Sequence, residues 1–240
     1  MKIPIVKEWG SWAVFSSSCL TGLIAGLKTQ PWLSGRDYTN VTALTIAGLV
    51  FLINSKNPLA SAFRSGGEIR HVRWFLFFTL TGLALLIPFL TVGIEAFQFF
   101  ALLVLSYFVL LYSGKEHHLA AELNGFALLT ITAPVVYFAV TGEMSWKLYF
   151  AVTVFFSAGV FKVRLRLRKT PLFRLVMIIY CKIAAVIFYF IDVSVLILLP
   201  FLENIVTALW LREEKLSTTG YTELAKGIFF IVLTGLFWRH

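Results

Sequence analysis

Two constellations in this 240-residue sequence have residue types that can do chemistry. The first is Lys115-Glu116-His117-His118 with Glu122 just beyond, where His118 and Glu122 stand four apart and would share one face of a helix. Imidazole and carboxylate are zinc-ligand types, but adjacent histidines point to different faces and the spacing fixes no third ligand. Interfacial hydrogen bonding is therefore the expected role, and no metal is expected. The second is Val163-Arg164-Leu165-Arg166-Leu167-Arg168-Lys169. Guanidinium groups make paired, charge-assisted contacts to phosphoryl and carboxylate oxygens. If a helix runs on through this segment, Arg164 and Arg168 fall on one face and Arg166 points elsewhere. That makes the first two candidates for binding an anion. The alternative is a solvated segment that only sets membrane topology.

A third polar stretch, Asn54-Ser55-Lys56-Asn57-Pro58-Leu59-Ala60-Ser61, follows an apolar run and contains no acid. Hard divalent cations need anionic oxygens, and neither this stretch nor the arginine-rich one offers them. The candidate binding set is Asn54, Lys115, His118, Arg164 and Arg168, with no metal, no cofactor and no assigned catalytic residue. Lys182 and Glu203 lie at similar depth in neighbouring apolar segments, where an unpaired charge costs several kcal/mol. They are expected to pair, either as a structural ion pair or as part of a polar cavity wall.

The elements that must position these residues are membrane helices. The chain is 59% hydrophobic and 14% charged, more apolar than a water-soluble core requires. Its apolar blocks match the roughly 20 residues a helix needs to cross the hydrocarbon layer, and a bare backbone in lipid must close its own hydrogen bonds. The fold class is all-α, a polytopic transmembrane helical bundle forming one domain over 1–240. Spans are placed at 11–27, 38–54, 74–91, 95–112, 119–140, 146–162, 173–191, 193–211 and 221–238, about nine in all. The first contains Gly22 and Gly26, a small-residue spacing that lets helices approach closely, and it shows no cleavage signal, so it is expected to remain in place.

With the N-terminus inside, 16 of the 21 Lys and Arg residues fall in or beside cytoplasmic loops, Lys162 and Lys226 among them. A multi-pass protein of the cytoplasmic (inner) membrane with a cytoplasmic N-terminus is expected. Its net charge of +9 then faces anionic lipid and calls for no nucleic acid. Cys19 and Cys181 lie within spans and suggest no disulfide framework. Marks of nucleotide or serine-hydrolase chemistry are missing.

The three polar segments follow spans two, four and six. That layout resembles the UbiA superfamily of intramembrane prenyltransferases. Asn54 with Pro58-Leu59-Ala60-Ser61 is similar to the end of that superfamily's first loop motif, and Tyr112, Lys115, Leu123 and Gly125 are similar to its second loop. Glu8-Trp9-Gly10-Ser11-Trp12-Ala13 and the Val163–Arg168 run resemble the YwiC-like group of bacterial membrane proteins, with Trp9 where that group has histidine. The resemblance implies a UbiA-like scaffold with a cavity open to the cytoplasmic side. It also implies an isoprenoid or other lipid, anionic lipid included, as the partner. The superfamily's aspartate clusters, which hold magnesium on a diphosphate, are absent, so any transferase activity implied here is metal-independent. Two other function classes stay open: a small-solute transporter, though no internal repeat is visible, and a non-catalytic membrane partner of a respiratory or assembly complex.

Overall fold

The computed structural model describes residues 6, 8–29, 38–114, 118–210 and 216–238. Their regular structure is helical: α1 Trp9–Thr29, α2 Tyr38–Arg64, α3 Ile69–Phe97, α4 Phe100–Tyr112, α5 Leu119–Thr130, α6 Thr132–Thr141, α7 Trp146–Arg168, α8 Pro171–Phe190, α9 Phe201–Leu209 and α10 Leu216–Phe237, with a 3-10 turn at Val195–Leu198. The chain is a polytopic helical bundle. Large apolar side chains such as Leu80, Ile87, Leu105, Ile183 and Val232 stand exposed on its outside, as lipid-facing positions require.

Seven helices are long and apolar enough to cross a membrane among the described residues, with α5 and α6 counting as one span over Leu119–Thr141. Two of the nine expected spans are shorter. Helix α4 has 13 residues, and at 1.5 Å per residue it reaches only about two-thirds of the hydrocarbon thickness. The expected span 193–211 is the 3-10 turn followed by the nine-residue α9. Pro200 stands at the N-cap of α9 and cannot donate a backbone hydrogen bond across the junction. The α5–α6 junction at Ile131 has a related cause, because Pro134 leaves the carbonyl four residues before it without a helical donor.

The small residues foreseen in the first span are packing points. A Cβ on Gly22 would lie impossibly close to the carbonyl of Ala133, and one on Gly26 would come within 3.0 Å of Val140; α1 thus lies flush on α6. Helices α2 and α3 cross at Gly48 and Gly82, where either Cβ would come within 2.9 Å of the other residue's carbonyl oxygen. Two apolar cores result. One gathers Phe15, Ile53, Phe89 and Val136 between α1, α2, α3 and α6, and the other gathers Phe155, Met177, Phe188 and Phe230 around α7, α8 and α10.

Helix α7 carries most of the polar chemistry, and its ends are set locally. Ser145 caps its start by accepting the Leu148 amide at 3.2 Å. Lys169 closes it in the left-handed conformation (φ 48°) before Pro171 opens α8. The helix therefore runs through the whole arginine segment, as the sharing of one face by Arg164 and Arg168 requires.

Candidate functional site

The ends of α2, α4 and α7 and the starts of α1 and α5 meet at one end of the bundle, the basic end, and enclose two adjoining cavities. The first, about 320 Å³, is lined by Glu122, Phe126, Gly159, Val160, Val163, Arg164, Leu167 and Arg168. Its α7 residues recur at intervals of three and four, which is one helical face. Arg166 belongs to another face and does not line it. The second, about 270 Å³, is bounded by Glu8, Ser11, Lys56, Arg64, Tyr107 and Gly125, among others. Glu122 and Phe126 belong to both walls. The three polar segments of the sequence thus each send residues to one paired chamber.

The individual candidates fare differently. Arg164 and Arg168 both face the first cavity, but their surroundings differ. Arg164 Nε donates to Glu122 Oε2 at 2.8 Å, so Glu122 is engaged across helices rather than with His118. Arg168 is exposed and lies 5.5 Å over the Phe173 ring. Asn54 is buried and lines neither cavity. Its Oδ1 accepts the Val6 amide at 3.2 Å and its Nδ2 donates to the Val50 carbonyl at 2.8 Å, which makes it a clasp for the N-terminal segment. His118 lines neither cavity; its Nδ1 accepts the Ala120 amide at the start of α5, a capping role. Lys115, Glu116 and His117 lie outside the described residues.

Glu8 gives the second cavity its electrostatic character. Its carboxylate takes Lys56 Nζ at 2.8 Å and the Ser11 hydroxyl at 2.9 Å. Burial alone would raise its pKa, but the Lys56 ammonium, the Ser11 hydroxyl and the nearby Arg64 charge outweigh that and hold it below the usual carboxylate range. The acid of the opening Glu-Trp-Gly motif thereby ties the start of α1 to the end of α2.

The expected Lys182–Glu203 pair does not form. Lys182 lies on the exposed side of α8, while Glu203 meets two lysines, Lys162 and Lys226, that the charge asymmetry places in or beside cytoplasmic loops. Lys162 Nζ of α7 is 2.6 Å from Glu203 Oε2 and 2.9 Å from Glu223 Oε1. Lys226 Nζ of α10 is 3.2 Å from Glu203 Oε2 and 2.5 Å from Glu223 Oε1. It also donates to Asn204 Oδ1, while Thr207 Oγ1 donates to Glu203 Oε1 at 2.7 Å. Two cations and two anions thus form a closed, neutral quartet, with the lysine side chains 1% and 8% exposed. Depth in the sequence could not choose between three lysines, but one signal was legible. Glu223 and Lys226 are three apart inside the last apolar segment, a pairing distance where single charges are costly.

Among the described residues no three His, Cys, Asp or Glu side chains are grouped to hold a metal ion. Glu203 and Glu223, the carboxylates of the quartet, are both engaged by lysine. The family model described as YwiC-like protein fits residues 5–137, more than half of the chain. No curated protein and no solved structure matches. The matched stretch contains Glu8, Lys56 and Glu122; Arg164, Arg168 and the quartet lie beyond it.

Proposed function

The chain belongs to the YwiC-like family, and from that premise we propose that it binds or processes a membrane lipid, head group in the paired cavities and apolar tail toward the bilayer. The observation that carries this is the single face of α7. It sets Arg164 and Arg168 beside Val160, Val163 and Leu167, so one cavity wall offers cationic donors next to an apolar surface. An anionic or strongly polar head matches that wall by exchanging with Glu122 for the Arg164 guanidinium and meeting Arg168 at the mouth. An isoprenoid tail is the chemistry that the loop layout, similar to the UbiA superfamily, suggests. The charge asymmetry supports a cytoplasmic-membrane protein whose cavities open to the cytoplasm. If the lipid is processed, head-group binding uses guanidinium and ammonium groups in place of a metal.

The test is lipid content. Protein purified in a mild detergent should carry a defined anionic or isoprenoid lipid visible by mass spectrometry. The Arg164→Gln, Arg168→Gln double variant should lose at least about tenfold of it, the loss of a charge-assisted contact of roughly 1.5–3 kcal/mol. Arg166→Gln should retain it. Equal behaviour of the two variants, with insertion intact, overturns the reading.

A further inference from the structure

The quartet has features that an ion network built only for structure does not need. Both of its carboxylates meet two lysines, and they differ in their neutral neighbours. Glu203 receives directed hydrogen bonds from Lys162 and Thr207. Glu223 Oε1 takes both ammonium groups, Lys226 at 2.5 Å and Lys162 at 2.9 Å, and no hydroxyl among the described residues donates to it. The cluster also has donors to spare. The Asn204 amide, fully buried, gives its oxygen to Lys226 and leaves Nδ2 without a partner; one helical turn before Glu223, the buried Thr219 hydroxyl has none either. Buried donors in this state cost free energy unless something accepts from them.

The quartet lies next to one residue of the first cavity's wall, Gly159. A Cβ placed on it would stand 3.6 Å from Glu223 Oε2. Gly159 has no side chain of its own there, and the Phe126 ring of α5 flanks the same point at 3.9 Å. Glu223 is 28% exposed, whereas Lys162 is buried behind it.

We propose that the quartet is a second, deeper binding site for an oxyanion, a carboxylate or a phosphate. The anion enters over Gly159, takes the place of the Glu223 carboxylate on Lys162 and Lys226, and accepts from Asn204 Nδ2. Glu223 is the internal stand-in for the ligand. On exchange its carboxylate turns to the cavity, so a singly charged oxyanion, a carboxylate or a monoanionic phosphate, leaves the buried cluster neutral and no proton need move. This rests on the lipid reading only in using the same cavity as its approach, and free phosphate and a lipid phosphate offer the site the same oxygens.

The experiment uses the full chain in phosphatidylcholine nanodiscs, titrated calorimetrically with inorganic phosphate at constant ionic strength. Wild type should bind it saturably, and Glu223→Gln, which removes the competing charge, should bind about tenfold more tightly or better. Gly159→Val keeps all four charges, so it remains informative if Glu223→Gln fails to fold. It should lose about tenfold of affinity with its melting temperature in the absence of phosphate unchanged. The Arg164→Gln, Arg168→Gln double variant should still bind phosphate. If that double variant abolishes binding while Gly159→Val and Glu223→Gln match wild type, the anion sits on the cavity arginines and the quartet proposal is overturned, leaving the lipid reading intact. Saturable binding in none of the folded variants overturns it as well. Competition by phosphatidic acid placed in the disc assigns the oxyanion to a lipid head; saturable binding without such competition assigns it to a soluble ion.

Discussion

Glu122 on α5 and Arg164 on α7 meet at 2.8 Å on the partition between the two cavities, and Glu122 belongs to both walls. An ion pair in that position holds two helices together and also divides one chamber into two. Both roles follow from α7 continuing as a helix through Arg168, since a chain that frayed at Lys162 would not carry Arg164 to α5.

The pair can be tested by a double-mutant cycle. Glu122→Gln and Arg164→Gln should each lower the melting temperature, and the double variant should lose less than the sum. The coupling should be on the order of 0.5–3 kcal/mol, the range for contacting, partly buried partners. Strict additivity would mean that the contact contributes nothing to the fold.

Asn54 gives a different outcome from the one its place in the sequence suggests. Asn54→Ala removes the acceptor of the Val6 amide while leaving the Trp12 Nε1 contact to the Val6 carbonyl at 2.9 Å. The expected result is a loss of roughly 1–3 kcal/mol of stability, the cost of a buried donor without a partner, with lipid content unchanged. Loss of lipid at unaltered stability would restore Asn54 to the binding site.

Patterning alone made much of this architecture readable. Apolar blocks of bilayer length match seven of the nine expected spans, and Gly22 and Gly26 announced a close helix contact. The shared face of Arg164 and Arg168 followed from helical periodicity. What could not be read was the third dimension of the charges. Lys162 stands six residues before the end of α7, in a basic stretch indistinguishable from a loop, and only the positions of α9 and α10 show that it points inward. The contacts of Asn54 and His118 were hidden for a related reason, because a side chain that bonds to backbone groups leaves no mark in residue spacing. The break at Pro200 was visible as a residue, but its consequence, a nine-residue α9 carrying Glu203 to the quartet, depends on packing against α8.

Orientation is open to chemical labelling. Single cysteines at Ser65, Ser113 and Thr170, all exposed at the basic end, in a background without the buried Cys19 and Cys181, should be shielded from membrane-impermeant thiol reagents in intact cells. They should react after permeabilisation. Labelling of all three from outside would invert the orientation inferred from the basic residues.

Acid should loosen the N-terminal clasp through Glu8. A carboxyl whose folded pKa lies below its ordinary 4.5 binds its proton less readily in the folded state than in the unfolded one. It therefore adds stability above the unfolded pKa, and that stability disappears as pH falls through the folded value. The difference in melting temperature between wild type and Glu8→Gln should thus be constant from neutral pH down to about 5, shrink below 4.5, and vanish at lower pH. With the Glu8 side chain 57% exposed, screening by water keeps the contribution small, under about 1 kcal/mol, and added salt should reduce it further. Lys56→Gln should lose the same pH dependence, since the Lys56 ammonium is the leading partner that lowers the Glu8 pKa. A wild-type advantage that persists unchanged below pH 3, or that grows as pH falls, would show that Glu8 acts through packing and not through its charge.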